Sequence, residues 1–231
     1  MKLTIIIPCF NEENYIEEVI TSVHSQKYSN KQIVVVDDGS TDGTKEKLKV
    51  LKDLGKIDKL INHEVNLGKG AAIRTGIRES NGEIIIIQDA DLEYNPDEYS
   101  RLINPIIAGD ADVVYGSRFL GGGAGAHRVL YFWHRVANGI LTLFTNILTD
   151  MNLTDMETGY KAFKKESLKD IVIQEDRFGF EPEITIKLAK KKIKFFEVGI
   201  SYKGRTYQEG KKIRMKDGLR ALYCIIRYKF F

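Results

Sequence analysis

Glu83-Ile84-Ile85-Ile86-Ile87-Gln88-Asp89-Ala90-Asp91 sets four consecutive isoleucines and one glutamine before a pair of aspartates two apart. An apolar run this short, β-branched and closed by polar residues, reads as a strand buried on both faces, the habit of a parallel sheet. Residues two apart on an extended chain project to the same side, so Asp89 and Asp91 can address one hard divalent cation such as Mg²⁺ or Mn²⁺, with Glu93 as a possible third oxygen ligand. The same pattern recurs at 3–8, 32–37 and 112–116, and helical periodicity follows at 14–26, 42–54, 69–79 and 96–108. Ser40-Thr41-Asp42 supplies N-cap chemistry for the second of these helices. A strand near 59–62, a long helix from about 127 to 148, a helix at 182–191, a strand at 195–200 and a last helix at 215–228 complete the expectation. The fold class is α/β, a mostly parallel sheet flanked by helices, with amphipathic helices toward the C-terminus. Neither repeat nor linker interrupts the chain, so one domain over residues 1–231 is expected.

Open parallel sheets collect ligands beyond the carboxyl ends of their strands. The unusual residues of this chain fall there: Pro8-Cys9-Phe10-Asn11-Glu12-Glu13, Asp37-Asp38-Gly39-Ser40, Asp89-Ala90-Asp91 and Gly116-Ser117-Arg118. Asp37 and Asp38 follow a buried strand and offer acceptors to the donor edge of a base or the hydroxyls of a ribose, while Asp38-Gly39 also serves as a turn. Lys69, in Asn66-Leu67-Gly68-Lys69-Gly70, is either a phosphate contact or a plain surface lysine. The dinucleotide fingerprint is missing after the first strand and no P-loop occurs, which argues against hydride transfer and P-loop chemistry.

Composition narrows the classes further. Of 231 residues, 43% are hydrophobic and 29% charged, the balance of a folded globular chain. Cys9 and Cys224 lie at opposite ends without CxxC partners, so neither a disulfide framework nor a zinc site is expected and a reducing cytosol fits. The first residues lack the pattern of a signal peptide. Net charge is +3, but residues 186–231 hold 14 Lys/Arg against 3 Asp/Glu, leaving 21 against 29 in the first 185. That basic end is either a solvated surface or a partner of nucleic acid, anionic lipid or phosphate. The stretch 128–149 is interrupted by His134, Arg135 and Asn138, so any membrane contact is expected at the surface.

Ile-Ile-Pro-Cys-Phe-Asn-Glu-Glu (6–13), Val-Val-Val-Asp-Asp-Gly-Ser-Thr-Asp-Gly-Thr (34–44), Asn-Leu-Gly-Lys-Gly-Ala-Ala-Ile-Arg-Thr-Gly (66–76), Gln-Asp-Ala-Asp-Leu-Glu (88–93) and Tyr-Gly-Ser-Arg-Phe (115–119), in this order and spacing, resemble the family 2 glycosyltransferases of GT-A fold, and among them the dolichyl or polyprenyl-phosphate mannose and glucose synthases. The resemblance is strong to about residue 165. It implies that Pro8, Phe10, Glu13, Asp37, Asp38, Lys69 and Asp89 bind the nucleotide sugar, that Asp89, Asp91 and Glu93 hold the metal, and that Arg118 serves the phosphates. Glu93 departs from the Gln of some lipid-linked sugar synthases. Asp155-Met156-Glu157-Thr158-Gly159-Tyr160-Lys161-Ala162-Phe163 resembles a further stretch of that branch, with Asp155 near the transferred sugar or ordering the acceptor loop. Glu181 falls where relatives carry an acidic residue beneath the site and is either a helix cap or catalytic.

The implied reaction is inverting transfer of a hexose to polyprenyl phosphate at the cytosolic membrane face, about residues 1–120 binding the nucleotide sugar and about 121–231 the acceptor and membrane. An alcohol acceptor needs a general base; a lipid phosphate is already an anion and needs cations. Arg118, Arg128, Arg135, Arg205, Lys211 and Lys212, none with an acidic partner nearby in sequence, are the expected acceptor-phosphate residues. The 127–148 helix is apolar over more than one stripe, suiting either a subunit contact or an anionic bilayer interface, and 219–231 repeats its aromatic and basic character. Residues 202–212 are expected to form a mobile loop, hinged at Gly204 and Gly210, that closes when substrates bind. Rival readings are a transferase with a soluble hydroxyl acceptor, using Asp155, Glu181 or His127 as base, and a non-catalytic sugar-nucleotide-binding protein. Nucleic acid is not an expected partner; a homo-oligomer is possible.

Overall fold

The computed structural model describes residues 1–121, 131–206, 208–210, 212 and 215–231. The strands are β1 (Leu3–Cys9), β2 (Lys31–Asp37), β3 (Lys59–Asn62), β4 (Ile84–Ile87), β5 (Val113–Ser117), β6 (Lys161–Lys164) and β7 (Phe195–Gly199). The helices are α1 (Ile16–His24), α2 (Thr44–Asp53), α3 (Lys69–Glu79), α4 (Tyr99–Ile107), α5 (Phe132–Thr149), α6 (Phe180–Lys190) and α7 (Met215–Phe230). Strand order is β3-β2-β1-β4-β6-β5-β7. All pairings are parallel except those of β6, which runs antiparallel between β4 and β5.

β6 is the element that the residues did not announce. Lys161-Ala162-Phe163-Lys164 is short and flanked by lysines, without the β-branched run of the other strands. Its reversed direction brings the segment 155–160, which leads into it, to the same sheet edge at which the parallel strands end.

The sheet is buried on both faces, as the isoleucine runs imply. Leu3, Ile5 and Ile7 pack with α1, α2 and α4, whereas Ile6, Ile85 and Ile87 pack with residues of α3, α5, α6 and α7. This alternation is the strand period of two. α1 turns Ile16, Val19, Ile20 and Val23 inward at the expected helical spacing. The chain winds outward from β1 through β2 to β3, then returns to place β4 on β1's other side. The crevice beyond β1 and β4 is therefore the topological switch point.

The N-cap position of α2 is Gly43, one residue beyond the expected Ser40-Thr41-Asp42, of which Asp42 still bonds the first turn. Asp42 Oδ1 accepts from Thr44 N at 3.1 Å, while Glu13 Oε2, from the β1–α1 connection, accepts from Gly43 N at 2.6 Å. No described helix is long and apolar enough to cross a membrane.

Candidate active site

At the switch point the two aspartates serve different cations. Asp91 Oδ2 lies 2.6 Å from Arg205 Nη2, and Asp89 Oδ1 lies 2.8 Å from Lys69 Nζ, which also meets Glu181 Oε1 at 3.2 Å. Gly159 makes the second pair possible, because a Cβ there would stand 2.5 Å from Asp89 Oδ2 and 3.1 Å from Lys69 Nζ. Burial works against the charge on Lys69, but Asp89 and Glu181 outweigh it and hold the ammonium well above the ordinary lysine range.

Arg205 is the hub of an acidic pocket. Its guanidinium donates to Glu12 at 3.0 and 3.2 Å and to Asp91 at 2.6 Å; its backbone N–H donates to Glu93 Oε1 at 2.7 Å. Glu12 also takes Lys212 Nζ at 2.6 Å, and Glu93 Oε2 takes the Tyr202 hydroxyl at 2.9 Å. These bonds hold the 202–206 segment, part of the loop that the sequence marked for closure, against the crevice. The cations that looked unpartnered along the chain find their carboxylates across it: Arg205 and Lys212 on Glu12, nearly two hundred residues earlier.

The pocket remains short of positive charge. Burial first, then Glu93 and Asp89, push Asp91 up to about 8 despite Arg205. Hard carboxylate oxygens in surplus suit a divalent cation. Among the described residues no three such side chains are drawn together tightly enough to grip one, and the Arg205 guanidinium lies between Glu12 and Asp91. The chemistry of the donor set, carboxylate oxygens alone, is that of a hard-cation site.

A third group stands at the end of β5. Arg118 Nε and Nη2 bind the two oxygens of buried Asp155 at 2.7 Å each, its backbone N–H donates to Asp155 at 3.0 Å, and Asn138 of α5 donates to the same carboxylate at 3.2 Å. These donors fix Asp155 and Arg118 against each other. Arg118 and Arg135 both lie against the Phe119 ring, at 5.6 and 4.5 Å from its centroid. Arg128 and Lys211 lie outside the described residues, as does His127.

The β2 turn is tied down by protein groups. Asp38 accepts from Asn66 Nδ2 at 2.9 Å, Leu67 N at 3.0 Å and Gly68 N at 2.7 Å, and pairs with His63 Nδ1 at 2.7 Å. Asp37 is buried and accepts from Ser40 N at 3.2 Å. Gly39 holds a left-handed φ of 71° with its open side against Val65, which lets loop 63–68 fold onto Asp38. Pro8 is buried in β1, and Lys212 covers Phe10 by bonding its carbonyl.

Several participants carried no separate sequence signal. Glu12 rather than Glu13 faces the crevice because Asn11 adopts a left-handed φ of 50° and turns the chain between them. Tyr94 stacks on Tyr160 at 5.0 Å and lies 5.4 Å from Tyr202, an aromatic floor built from three distant segments. Lys161 is wholly buried, its Nζ donating to Met156 O at 2.8 Å above the Tyr115 ring, and burial pulls its pKa down to about 7. Nearby Glu157 Oε1 and Glu181 Oε2 are buried and lack hydrogen-bond partners.

Residues 4–172 match the sequence profile of glycosyl transferase family 2. The chain is 30% identical to an uncharacterised protein of Methanocaldococcus jannaschii over 100% of its own length and 93% of that protein's. It is 29% identical to the dolichol-phosphate mannosyltransferase of Pyrococcus furiosus, covering 99% of this chain and 65% of that one, and 29% identical to the UDP-N-acetylglucosamine–dolichyl-phosphate N-acetylglucosaminyltransferase of Methanococcus voltae, covering 97% and 95%. Among solved structures, glucosyl-3-phosphoglycerate synthase of Mycobacterium tuberculosis, crystallised with Mn²⁺, UDP and phosphoglyceric acid, superposes with a TM-score of 0.74 at 17% identity over 99% of this chain and 78% of that one. The switch-point crevice, the acidic segment after β4 and the matched 169-residue profile agree: the chain belongs to glycosyl transferase family 2, has the GT-A fold, and is a glycosyltransferase similar to the dolichyl-phosphate sugar transferases.

Proposed function

We propose that the protein transfers a hexose, with inversion, from a nucleotide diphosphate sugar to a polyprenyl phosphate such as dolichyl phosphate, working on the cytosolic face of a membrane. The observation that carries this reading is the pair Arg118 and Arg135 on the Phe119 ring, placed where α5 begins to expose its apolar side. Phe132, Trp133, Ile140, Leu143 and Ile147 are all more than half exposed. A phosphate held by the two guanidiniums has an apolar path for its lipid along α5. The relatives named for dolichyl-phosphate transfer support the acceptor class.

In this reading residues 1–120 bind the donor and 121–231 the acceptor and membrane. Pro8, Phe10, Glu13, Asp37 and Asp38 shape the nucleoside side, Asp38 and Glu13 doing so by fixing the loops around it. Lys69 faces the diphosphate. Asp91, with Asp89 or Glu93, would hold Mg²⁺ or Mn²⁺, which when bound neutralises charge building on the departing nucleotide diphosphate. Arg118, held in one orientation by Asp155, and Arg135, Arg205 and Lys212, with Arg128 and Lys211 from the segments outside the described residues, supply the acceptor phosphate's counter-charge. An acceptor that arrives as an anion needs no proton removed.

A second reading rests on Glu181. Its Oε2 is buried without a partner beneath the crevice, a position from which a base could take a hydroxyl proton. The glycosyltransferase would then act on a soluble or glycan alcohol. The deciding experiment offers GDP- and UDP-hexoses with either undecaprenyl or dolichyl phosphate or with a panel of sugar and glycerate alcohols, and follows glycosylated product. Product only with the lipid phosphates supports the first reading; product only with the alcohols, abolished in Glu181→Gln, overturns it.

A further inference from the structure

We propose that Arg205 is the chain's own counter-cation for the Asp91 and Glu93 carboxylates, parked there by Glu12, and that a divalent cation entering the site displaces it toward the acceptor phosphate. This deepens the lipid-phosphate reading and rests on it for the final destination of the guanidinium, while the displacement itself stands on the geometry alone.

Three observations carry it. The guanidinium sits among Glu12, Asp91 and Glu93, contacting the first two within 3.2 Å. It is an imperfect occupant, because its buried Nε has no hydrogen-bond partner, the nearest Glu93 oxygen lying 3.6 Å away. Formal charge also leaves room: with all three carboxyl groups ionised they face only two cations, Arg205 and Lys212, and exchanging a monovalent for a divalent cation closes that deficit. A metal with oxygen ligands at roughly 2.0–2.6 Å competes with the guanidinium for the Asp91 oxygen that Arg205 now holds.

The exit route is marked by Tyr202. Its hydroxyl holds Glu93 at 2.9 Å, while its ring lies 5.2 Å from the Arg118 guanidinium carbon. Arg205, three residues on, therefore leaves Asp91 within reach of the place where Arg118 would hold the acceptor. Lys212 stays on Glu12, so the segment swings on that tether. Cation binding and acceptor binding become coupled in one order: the cation first frees the arginine, which then completes the phosphate site.

The test uses Mn²⁺ alone, without nucleotide or lipid. Binding is read by electron paramagnetic resonance on wild type, Arg205→Gln and Arg205→Lys, and hydrogen exchange of residues 202–206 is followed in wild type with and without Mn²⁺. Removing the competing guanidinium should tighten Mn²⁺ binding roughly 10-fold, with Arg205→Lys in between, and Mn²⁺ should speed exchange in 202–206 of the unmodified protein. Equal or weaker Mn²⁺ binding by Arg205→Gln that retains the wild-type circular dichroism, or unchanged exchange in the wild type, overturns the displacement and leaves the glycosyl-transfer reading standing. Failure of every form to bind Mn²⁺, even with a nucleotide diphosphate added, overturns both. Normal displacement in a protein that glycosylates only alcohols supports the displacement and sinks the lipid-phosphate destination.

Discussion

Asp91 illustrates how one residue joins the electrostatics of the fold to its chemistry. Burial and two neighbouring carboxylates raise its proton affinity, so its negative charge is favoured only where cations stand close by. Asp91→Ala removes that charge without opening the core, and transfer should fall by at least about 100-fold with the thermal midpoint within a few degrees of wild type, measured by product formation and calorimetry. Glu157 gives a different test. Burial, then Glu181, push its carboxyl up from 4.5 to about 8, so between those values the folded state binds a proton that the unfolded state has lost. Stability from this group is full below pH 4.5 and disappears as pH rises through 8. Urea unfolding at pH 5 and pH 8 should show wild type losing more stability over that interval than Glu157→Gln does, by over about 1.4 kcal/mol, the worth of one pH unit of displacement. Asp89, Asp91 and Arg118 were legible in the sequence because each follows a strand whose isoleucines or valines are unmistakable. Glu12 and Glu157 were not, since a turn at Asn11 and a packing environment from three segments decide which way they face.

At the scale of elements, α5 and α7 pack on one another and leave two apolar stripes outward. On α7, Leu219, Leu222, Tyr223, Ile226 and Phe230 recur at three- and four-residue spacing, and Lys216 and Arg227 run beside them. On the proposed reading such a helix would lie in a bilayer interface, the apolar stripe in the acyl boundary and the cations at the headgroups. Arg220 clasps buried Glu175 at 2.8 and 2.9 Å, fixing the helix's rotation, with the Tyr228 hydroxyl on the same carboxylate. A Leu219→Glu, Ile226→Glu double variant leaves those contacts intact and should lower binding to phosphatidylglycerol vesicles at least about 10-fold while circular dichroism stays unchanged, with sedimentation as the measurement. The parallel strands and long helices were readable from periodicity, because each buries one continuous stripe or both faces. β6 escaped because four residues bounded by lysines carry no period, and only the gap between β4 and β5 makes them a strand.

Across the whole molecule, opposite charges separated along the chain are brought together in space. The basic end reaches back through Arg205 and Lys212 to Glu12 and through Arg220 to Glu175, so part of its excess positive charge serves the fold rather than a partner. One largely buried long-range pair, Arg118 with Asp155, stitches the end of β5 to α5 and to the segment entering β6. Taking two charges from water is costly, and the pair persists because two short bonds, a backbone donor and Asn138 satisfy every lone pair offered. Asp155→Asn leaves the guanidinium buried without its counter-ion, and urea denaturation should show a loss of about 3–5 kcal/mol. Adding Arg118→Met to that variant removes the stranded charge, so the double variant should be more stable than Asp155→Asn alone although it transfers no sugar. Equal stability of single and double variants would mean that Asp155 supports the fold through Asn138 and the backbone, and that Arg118 is free to leave it for a phosphate.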